Sequence, residues 1–132
     1  MERITKNNSA ICLIDHQVGL LVGVHDITVA ELKHNVVGLA KAAKILGMPT
    51  IASTTAKDVL WGPTFPELVA VLDTKKYPII DRMTMNAWDD PQFVKAVEAT
   101  GWKLSCLRAL LFKSVRRFLL TRLWPPAISL MS

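Results

Sequence analysis

The last quarter of the chain contains no acidic residue. Residues 1–100 carry ten Lys or Arg and eleven Asp or Glu, whereas residues 101–132 carry six Lys or Arg and no acid. The basic excess, a formal net charge of +5, therefore comes entirely from the segment after residue 100. Such a break in charge indicates a C-terminal segment whose role or origin differs from that of the rest.

Cysteine and histidine are scarce as well. Two cysteines, Cys12 and Cys106, give no disulfide framework, so we expect a cytoplasmic location. The three histidines do not have the spacing of metal ligands, and we expect neither a metal nor a cofactor. No apolar run reaches membrane-spanning length without charges, and residues 1–6 lack the apolar core of a signal peptide.

The sequence does contain a run of five apolar residues, Ala10 to Ile14, that ends in the carboxylate of Asp15. An apolar run of this length is typical of a strand that is buried on both faces. Asp15 would then lie at the carboxyl end of the strand, where open α/β sheets place their ligand sites. An Asp in this position also commonly caps the next turn, and the pattern alone leaves both interpretations open.

The residues after this strand predict a βαβ unit in a single domain. Thr28 and Glu31 form a capping box, apolar residues then recur at helical spacing, and Gly47 ends the helix. A β-branched strand follows at residues 50–54, which implies parallel strands joined by a right-handed crossover. The other predicted elements are a short helix over 64–72, a strand over 77–80, a helix capped by Asp90, and a basic, apolar helix over 104–124.

Two blocks of sequence resemble the isochorismatase-like cysteine hydrolases, especially their small bacterial branch. The first block is Cys12 to Gln17 and the second is Asp81 to Asp90. The resemblance covers residues 1–103 and implies a three-layer, parallel-sheet, Rossmann-like α/β fold that is incomplete at its C-terminus. Residues 104–132 then form a divergent basic and apolar tail.

The resemblance also implies a function and its site residues. The family hydrolyses small amides, imides or vinyl ethers, and relatives commonly form homo-oligomers; we expect a small-molecule substrate and no nucleic-acid or membrane partner. Asp15 corresponds to the general base, and Arg82 stands where the family's lysine is usual. Asn86, Trp88 and Gln17 are expected to bind substrate. Arg82 is alternatively a simple salt-bridge partner, and Trp88 a core residue.

The family's nucleophilic cysteine is missing from its expected place. That cysteine should follow Lys103 by roughly a dozen residues, where this chain has Phe112 to Arg116, and Cys106 comes too early, inside the predicted helix. The codons of residues 104–128 permit a family-like continuation, with a cysteine, if they are read one base out of frame. We therefore hypothesise a frameshift near Lys103, which the nucleotide sequence around codon 103 tests directly.

Three functional interpretations follow from these observations. The first is a hydrolase of this superfamily whose activity is impaired in this chain because the thiol is absent. The second is a non-catalytic truncated subunit that binds a ligand or oligomerises. The third, least favoured, is that the basic tail binds an acidic membrane or nucleic acid.

Overall fold

The computed structural model describes residues 5–101 in full and the backbone of residues 104–109. Its centre is a parallel four-stranded sheet with the strand order β3-β2-β1-β4. The chain builds β2 and β3 on one side of β1 and then crosses to the other side for β4. The strands are β1 (Ser9–Ile14), β2 (Thr50–Thr55), β3 (Ile80–Arg82) and β4 (Leu104–Ala109).

Strand β1 is buried on both faces because helices cover each side of the sheet. Ile11 and Leu13 point to one face and pack in a cluster with residues of α1 (Val29–Ile45) and with Phe65 and Leu68. Cys12 and Ile14 point to the other face and pack with residues of α3 (Pro91–Ala99). Alternate residues of a strand face opposite sides, so β1 joins two apolar cores. This three-layer arrangement confirms the predicted fold class.

The two long helices begin at the caps that the sequence predicts. The Thr28 hydroxyl accepts a hydrogen bond from the Glu31 amide at 3.2 Å, and α1 then buries an apolar stripe against the sheet. The Asp90 carboxylate accepts bonds from the first amides of α3 at 2.8 and 3.0 Å. Each cap satisfies amides that have no partner inside the helix. Between these helices lies the four-residue α2 (Pro66–Val69), shorter than the predicted helix over 64–72.

The prediction of a helix from residue 104 is wrong for Leu104–Ala109, which form β4. This strand pairs with β1 along its whole length, from Ser9 opposite Leu104 to Ile14 opposite Ala109. The free edge of β1 offers unpaired backbone groups, and satisfying them outweighs the local helical pattern. Cys106 therefore lies in a strand, opposite Ile11, and not in a helix. Residues 110–124 of the predicted helix lie outside the described residues.

The third strand lies further along the chain than the predicted strand over 77–80. It runs from Ile80 to Arg82 and pairs with Ser53 to Thr55. Pro78 has no amide hydrogen to donate to a sheet, so the paired segment begins after it. This shift places Arg82 at the carboxyl end of a strand. Within the part of the chain that the structure describes, no helix has the length and apolar character needed to cross a bilayer.

Candidate active site

The parallel sheet brings the ends of three strands together at one edge. Asp15 directly follows β1, Thr55 is the last residue of β2, and Arg82 is the last residue of β3. Thr55 lies opposite Arg82 in the sheet register, and the amide of Asp15 donates to the carbonyl of Ser53 at 2.9 Å. Because β1 is also where the order of the strands reverses, this edge is the usual place for a ligand site in an α/β sheet.

Asp15 and Arg82 form a buried ion pair at this edge. The pair agrees with both interpretations of Arg82, as a site cation and as a simple salt-bridge partner, and its catalytic role stays a prediction. Nη2 of Arg82 donates to both carboxylate oxygens of Asp15, at 2.8 Å to Oδ1 and 2.9 Å to Oδ2. Asp15 is 0% exposed and Arg82 2% exposed. A charged pair that is removed from water in this way is held by its own hydrogen bonds and not by solvent.

The remaining donors of Arg82 are largely taken by the protein. Nη1 donates to the carbonyl oxygen of Thr84 at 2.9 Å and to Oγ1 of Thr55. Nε is buried and has no hydrogen-bond partner among the described residues. A guanidinium has five N–H donors in a fixed fork. Four of them hold Arg82 in place, and Nε is the one donor left for a further group.

Burial dominates the electrostatics of this pair. Desolvation raises the pKa of Asp15 above its ordinary value, and the charge of Arg82 and the hydrogen bond from Thr55 oppose that rise. Desolvation lowers the pKa of Arg82, and the nearby carboxylates, Asp15 foremost, oppose it. A carboxylate with a raised pKa binds a proton more readily than one in water. The setting of Asp15 thus suits a proton acceptor.

The backbone at Asp15 is left-handed, with φ of 60°. This conformation is costly for most residues, but Asp and Asn adopt it more readily than others. Such conformations are concentrated at functional sites, where the surrounding structure maintains them. Here the turn leads the chain off the sheet directly after β1 while the carboxylate remains at the strand end.

Gln17 connects the site to the loop after β2. Its side-chain Nε2 donates to the carbonyl oxygens of Thr55 at 2.9 Å and Gly62 at 2.7 Å, and its Oε1 accepts from the Thr55 amide at 2.8 Å. The side chain is fully buried. Gln17 therefore fixes both backbone groups of Thr55, and its contact with a substrate stays a prediction.

The other two predicted binding residues lie just after β3. The Thr84 hydroxyl donates to the carbonyl of Asn86 at 2.9 Å, and Thr84 in turn accepts from Arg82, so two hydrogen bonds link Asn86 to the ion pair. The Asn86 side chain accepts from the amide of Trp88. Trp88 packs edge-on against Phe93, with ring centroids 5.4 Å apart. Their roles towards a substrate stay predictions.

Thr55 belongs to the candidate site but is absent from the residues that the sequence predicts there. Its hydroxyl donates to Oδ1 of Asp15 at 2.7 Å and accepts from Arg82. The predicted strand ended one residue earlier, at Thr54, which left Thr55 in a loop. The rule that selected Asp15, a polar residue at the carboxyl end of a buried strand, would also have selected Thr55 if the strand had been given its full length.

Neither cysteine of the chain is placed at this edge. Cys12 is buried within β1, three residues before Asp15. The backbone of Cys106 lies opposite Ile11, four residues before Asp15 in register, which is about 13 Å along a strand. Among the residues that the structure describes, no group of three His, Cys, Asp or Glu could hold a metal ion.

The segment after β1 packs closely against the backbone of the segment after β2. A Cβ at Gly19, in the 3₁₀ segment Val18–Gly23, would lie 2.6 Å from the carbonyl oxygen of Trp61. We expect Gly19→Ala to lower the free energy of unfolding by about 1 to 3 kcal/mol, because backbone must move. Gly23→Ala is the matched control, since its Cβ meets nothing within 4 Å. Urea unfolding of both variants measures the difference, and equal losses would contradict this packing.

Comparison with known proteins shows the family of this chain. The family model described as Isochorismatase domain matches residues 9–107. The probable hydrolase YcaC of Escherichia coli (strain K12) is 45% identical over 101 residues, which are 76% of this chain and 48% of the relative. The match runs four residues beyond the predicted boundary at 103, and the hypothesis of a frameshift stays a prediction.

Two solved structures share the fold. The first is YcaC from Pseudomonas aeruginosa with hexane-2,5-diol and covalent acrylamide, with a TM-score of 0.77 and 40% identity, covering 83% of this chain and 54% of that one. The second is the YcaC gene product from Escherichia coli, an octameric hydrolase of unknown specificity, with a TM-score of 0.77 and 43% identity over 83% of this chain and 53% of that one. The chain spans about half the length of the curated relative that it matches. With the family model covering most of its residues, this chain belongs to the isochorismatase domain family.

Proposed function

We propose that the Asp15–Arg82 edge is the acid–base part of a hydrolase site for a small amide, imide or vinyl ether. The observation that carries the proposal is the buried, doubly hydrogen-bonded ion pair at the strand ends, in a chain of a family to which hydrolases belong. Asp15 acts as the general base and, because no cysteine lies at this edge, the proton that it takes comes from a water molecule. The raised pKa of Asp15 supports this role.

Arg82 acts by steadying the ionised form of Asp15 and by offering Nε to a substrate oxygen. A guanidinium stays protonated, so it stabilises negative charge but donates no proton. Asn86 and Trp88, just after β3, and Gln17, just after β1, are the proposed substrate contacts. The buried Nε1 of Trp88, which has no hydrogen-bond partner among the described residues, is a further donor for a polar substrate.

Thiol-dependent turnover by this chain is negligible in this proposal. A cysteine hydrolase needs its sulfur within hydrogen-bond reach of the base. Cys12 is buried in the middle of β1, and Cys106 belongs to β4 at the level of Ile11. Neither strand position is at the edge that holds Asp15. The site therefore binds a small ligand without forming a covalent intermediate.

Acrylamide tests this proposal, because it is a small amide that reacts with thiolates. We expect Cys12 and Cys106 of the folded chain to be labelled no faster than those of the urea-unfolded chain. The double variant Asp15→Asn/Arg82→Met removes the base without leaving a buried charge unpaired, so it should leave the rates unchanged. Mass spectrometry of peptides measures each rate. Fast labelling of one cysteine that the double variant abolishes, accompanied by release of ammonia from propionamide, would contradict the loss of turnover.

Ligand binding is tested separately with propionamide, which has no electrophilic alkene. We expect the amide NMR signals of residues 15–17 and 82–88 to shift on titration, because these two segments contain the ion pair and the proposed substrate contacts. Trp88→Phe removes one proposed donor and keeps an aromatic ring, so binding should weaken without loss of fold. Shifts confined to other parts of the chain would refute the site.

Homo-oligomer formation is the proposed state of the protein. Several large apolar side chains are exposed, among them Val22 at 80%, Leu60 at 66% and Met83, which follows Arg82, at 74%. Exposed apolar surface favours protein contacts, and the Escherichia coli relative is described as octameric. Light scattering should give a mass well above 14.7 kDa, and a purely monomeric chain would contradict this. An oligomer that binds no propionamide would favour the alternative, a non-catalytic subunit.

A further inference from the structure

Thr55 joins the two charged groups of the site through a single oxygen. The hydroxyl donates its one hydrogen to Oδ1 of Asp15 at 2.7 Å and accepts from Nη1 of Arg82. A hydroxyl has one donor and two acceptor positions. With Arg82 fixing the acceptor side, the hydrogen of Thr55 is directed towards Asp15 and cannot rotate to another partner without losing that bond.

The backbone of Thr55 is fixed as firmly as its side chain. Gln17 binds both its amide and its carbonyl, at 2.8 and 2.9 Å. Thr55 is also held by β2 in register with Arg82 of β3. The hydroxyl is therefore placed by two strands and a buried amide, so its position does not depend on the ligand.

The two oxygens of Asp15 consequently differ. Oδ1 accepts from both Thr55 and Arg82, whereas Oδ2 accepts only from Arg82 among the described residues. An ionised carboxylate oxygen has two acceptor positions. Both positions of Oδ1 are occupied, and Oδ2 retains one that can take a proton.

We propose that Thr55 is a positioning residue that turns the Asp15 carboxylate so that Oδ2 is the oxygen that accepts the proton. This inference rests on the proposed function, in which Asp15 is the general base. In the step itself, an O–H bond of an attacking water molecule breaks, its electron pair stays on the water oxygen as that oxygen bonds to the substrate, and a new O–H bond forms at Oδ2. Thr55 contacts neither the attacking atom nor the substrate, and acts only through Asp15.

The charged groups around Asp15 set the direction in which its pKa changes when the Thr55 hydroxyl is removed. Arg82 of β3 is the cation that faces Asp15, and Asp81 and Asp90 act on Arg82 in turn. His16, the next residue in the chain, is buried beside the turn. The hydrogen bond from Thr55 favours the ionised form of Asp15. Loss of that bond should therefore raise the pKa of Asp15 further, while the surrounding charges stay in place.

Carbon-13 NMR of the Asp15 carboxyl group tests the inference on the full chain. Thr55→Val removes the hydroxyl at constant shape and should move the titration midpoint of Asp15 to higher pH, whereas Thr55→Ser should restore the wild-type midpoint. The matched control is Thr54→Val. Thr54 precedes Thr55 on the same strand and is buried, whereas Thr55 is half-buried. The Thr54 hydroxyl donates to Asp81 at 2.8 Å, so this variant should leave the Asp15 midpoint unchanged.

A second measurement covers the case in which Thr55→Val does not fold. In the wild-type chain the Thr55 hydroxyl hydrogen, held between buried groups, should exchange slowly with water and give its own proton resonance. An unchanged midpoint in Thr55→Val, an equal shift in Thr54→Val, or a rapidly exchanging hydroxyl would each overturn the inference. The titration needs no substrate, so a chain that fails to bind propionamide would refute the proposed function and leave the inference on Thr55 standing.

Discussion

Arg82→Met should lower the free energy of unfolding by about 3 to 5 kcal/mol at neutral pH. The substitution preserves much of the side-chain volume but leaves the Asp15 carboxylate buried without its cation. Asp15 is 0% exposed, so water cannot replace the two hydrogen bonds that Nη2 supplies at 2.8 and 2.9 Å. Urea unfolding followed by far-UV circular dichroism measures the loss.

A second substitution should recover most of this loss. In the double variant Asp15→Asn/Arg82→Met neither buried group is charged, and replacing both members of a buried pair is often close to neutral. Asn also tolerates the left-handed backbone of residue 15, whose φ is 60°. A double variant that is as unstable as Arg82→Met, or more so, would show that the arginine acts through packing and not through its charge.

Acid should rescue Arg82→Met in the same way. Burial raises the pKa of Asp15 and Arg82 opposes that rise, so removal of Arg82 raises it further. The folded state then binds the proton at a pH where the unfolded state has lost it, and the free energy of unfolding falls as pH rises through that range. The gap between wild type and Arg82→Met should therefore widen as pH rises, whereas the double variant lacks this dependence.

The exposed pair Lys33–Glu67 provides the control within the same chain. Its N–O distance is 3.0 Å, similar to that of the buried pair, but the two side chains are 28% and 53% exposed. Ion pairs in contact with water contribute about 0 to 1 kcal/mol. Lys33→Met should therefore change stability far less than Arg82→Met, and a loss equal to that of Arg82→Met would mean that burial does not set the cost.

Gln17→Leu should also be destabilising, by about 1 to 3 kcal/mol, because it leaves three partly buried backbone groups without their side-chain partner. These groups are the amide and carbonyl of Thr55 and the carbonyl of Gly62. Leucine has a similar size and gains some apolar contact, so the loss reports the hydrogen bonds and not a cavity. Denaturant unfolding is again the measurement.

Gln92→Leu serves as the matched control, because Gln92 is an exposed residue of α3. A Gln17→Leu variant that is as stable as Gln92→Leu, but binds propionamide more weakly, would mean that Gln17 contacts the substrate and does not fix the loops. A loss of stability with unchanged propionamide binding would show that Gln17 fixes the loops and does not contact the substrate. The pair of measurements therefore separates the predicted role of Gln17 from the structural role that its contacts indicate.

The sequence by itself determined the central strand and the βαβ unit, and it predicted two charged residues, Asp15 and Arg82, that the structure brings together. These features depend on local patterns: an apolar run that ends at Asp15, the Thr28 cap of α1 and the Asp90 cap of α3. A buried strand and a capped helix have their signals within a few neighbouring residues. The resemblance of two short blocks then paired Asp15 with Arg82, 67 positions apart.

Only the tertiary structure decided the pairing of β4, the length of β2 and the partners of Gln17. Residues 104–109 have a helical pattern, yet they form a strand because the free edge of β1 needs hydrogen bonds. Thr55 enters the site because β2 extends one residue further in register with β3. Hydrogen bonds between residues 38 or 45 positions apart, such as those of Gln17, have no local signal, since only the folded sheet brings these groups within reach.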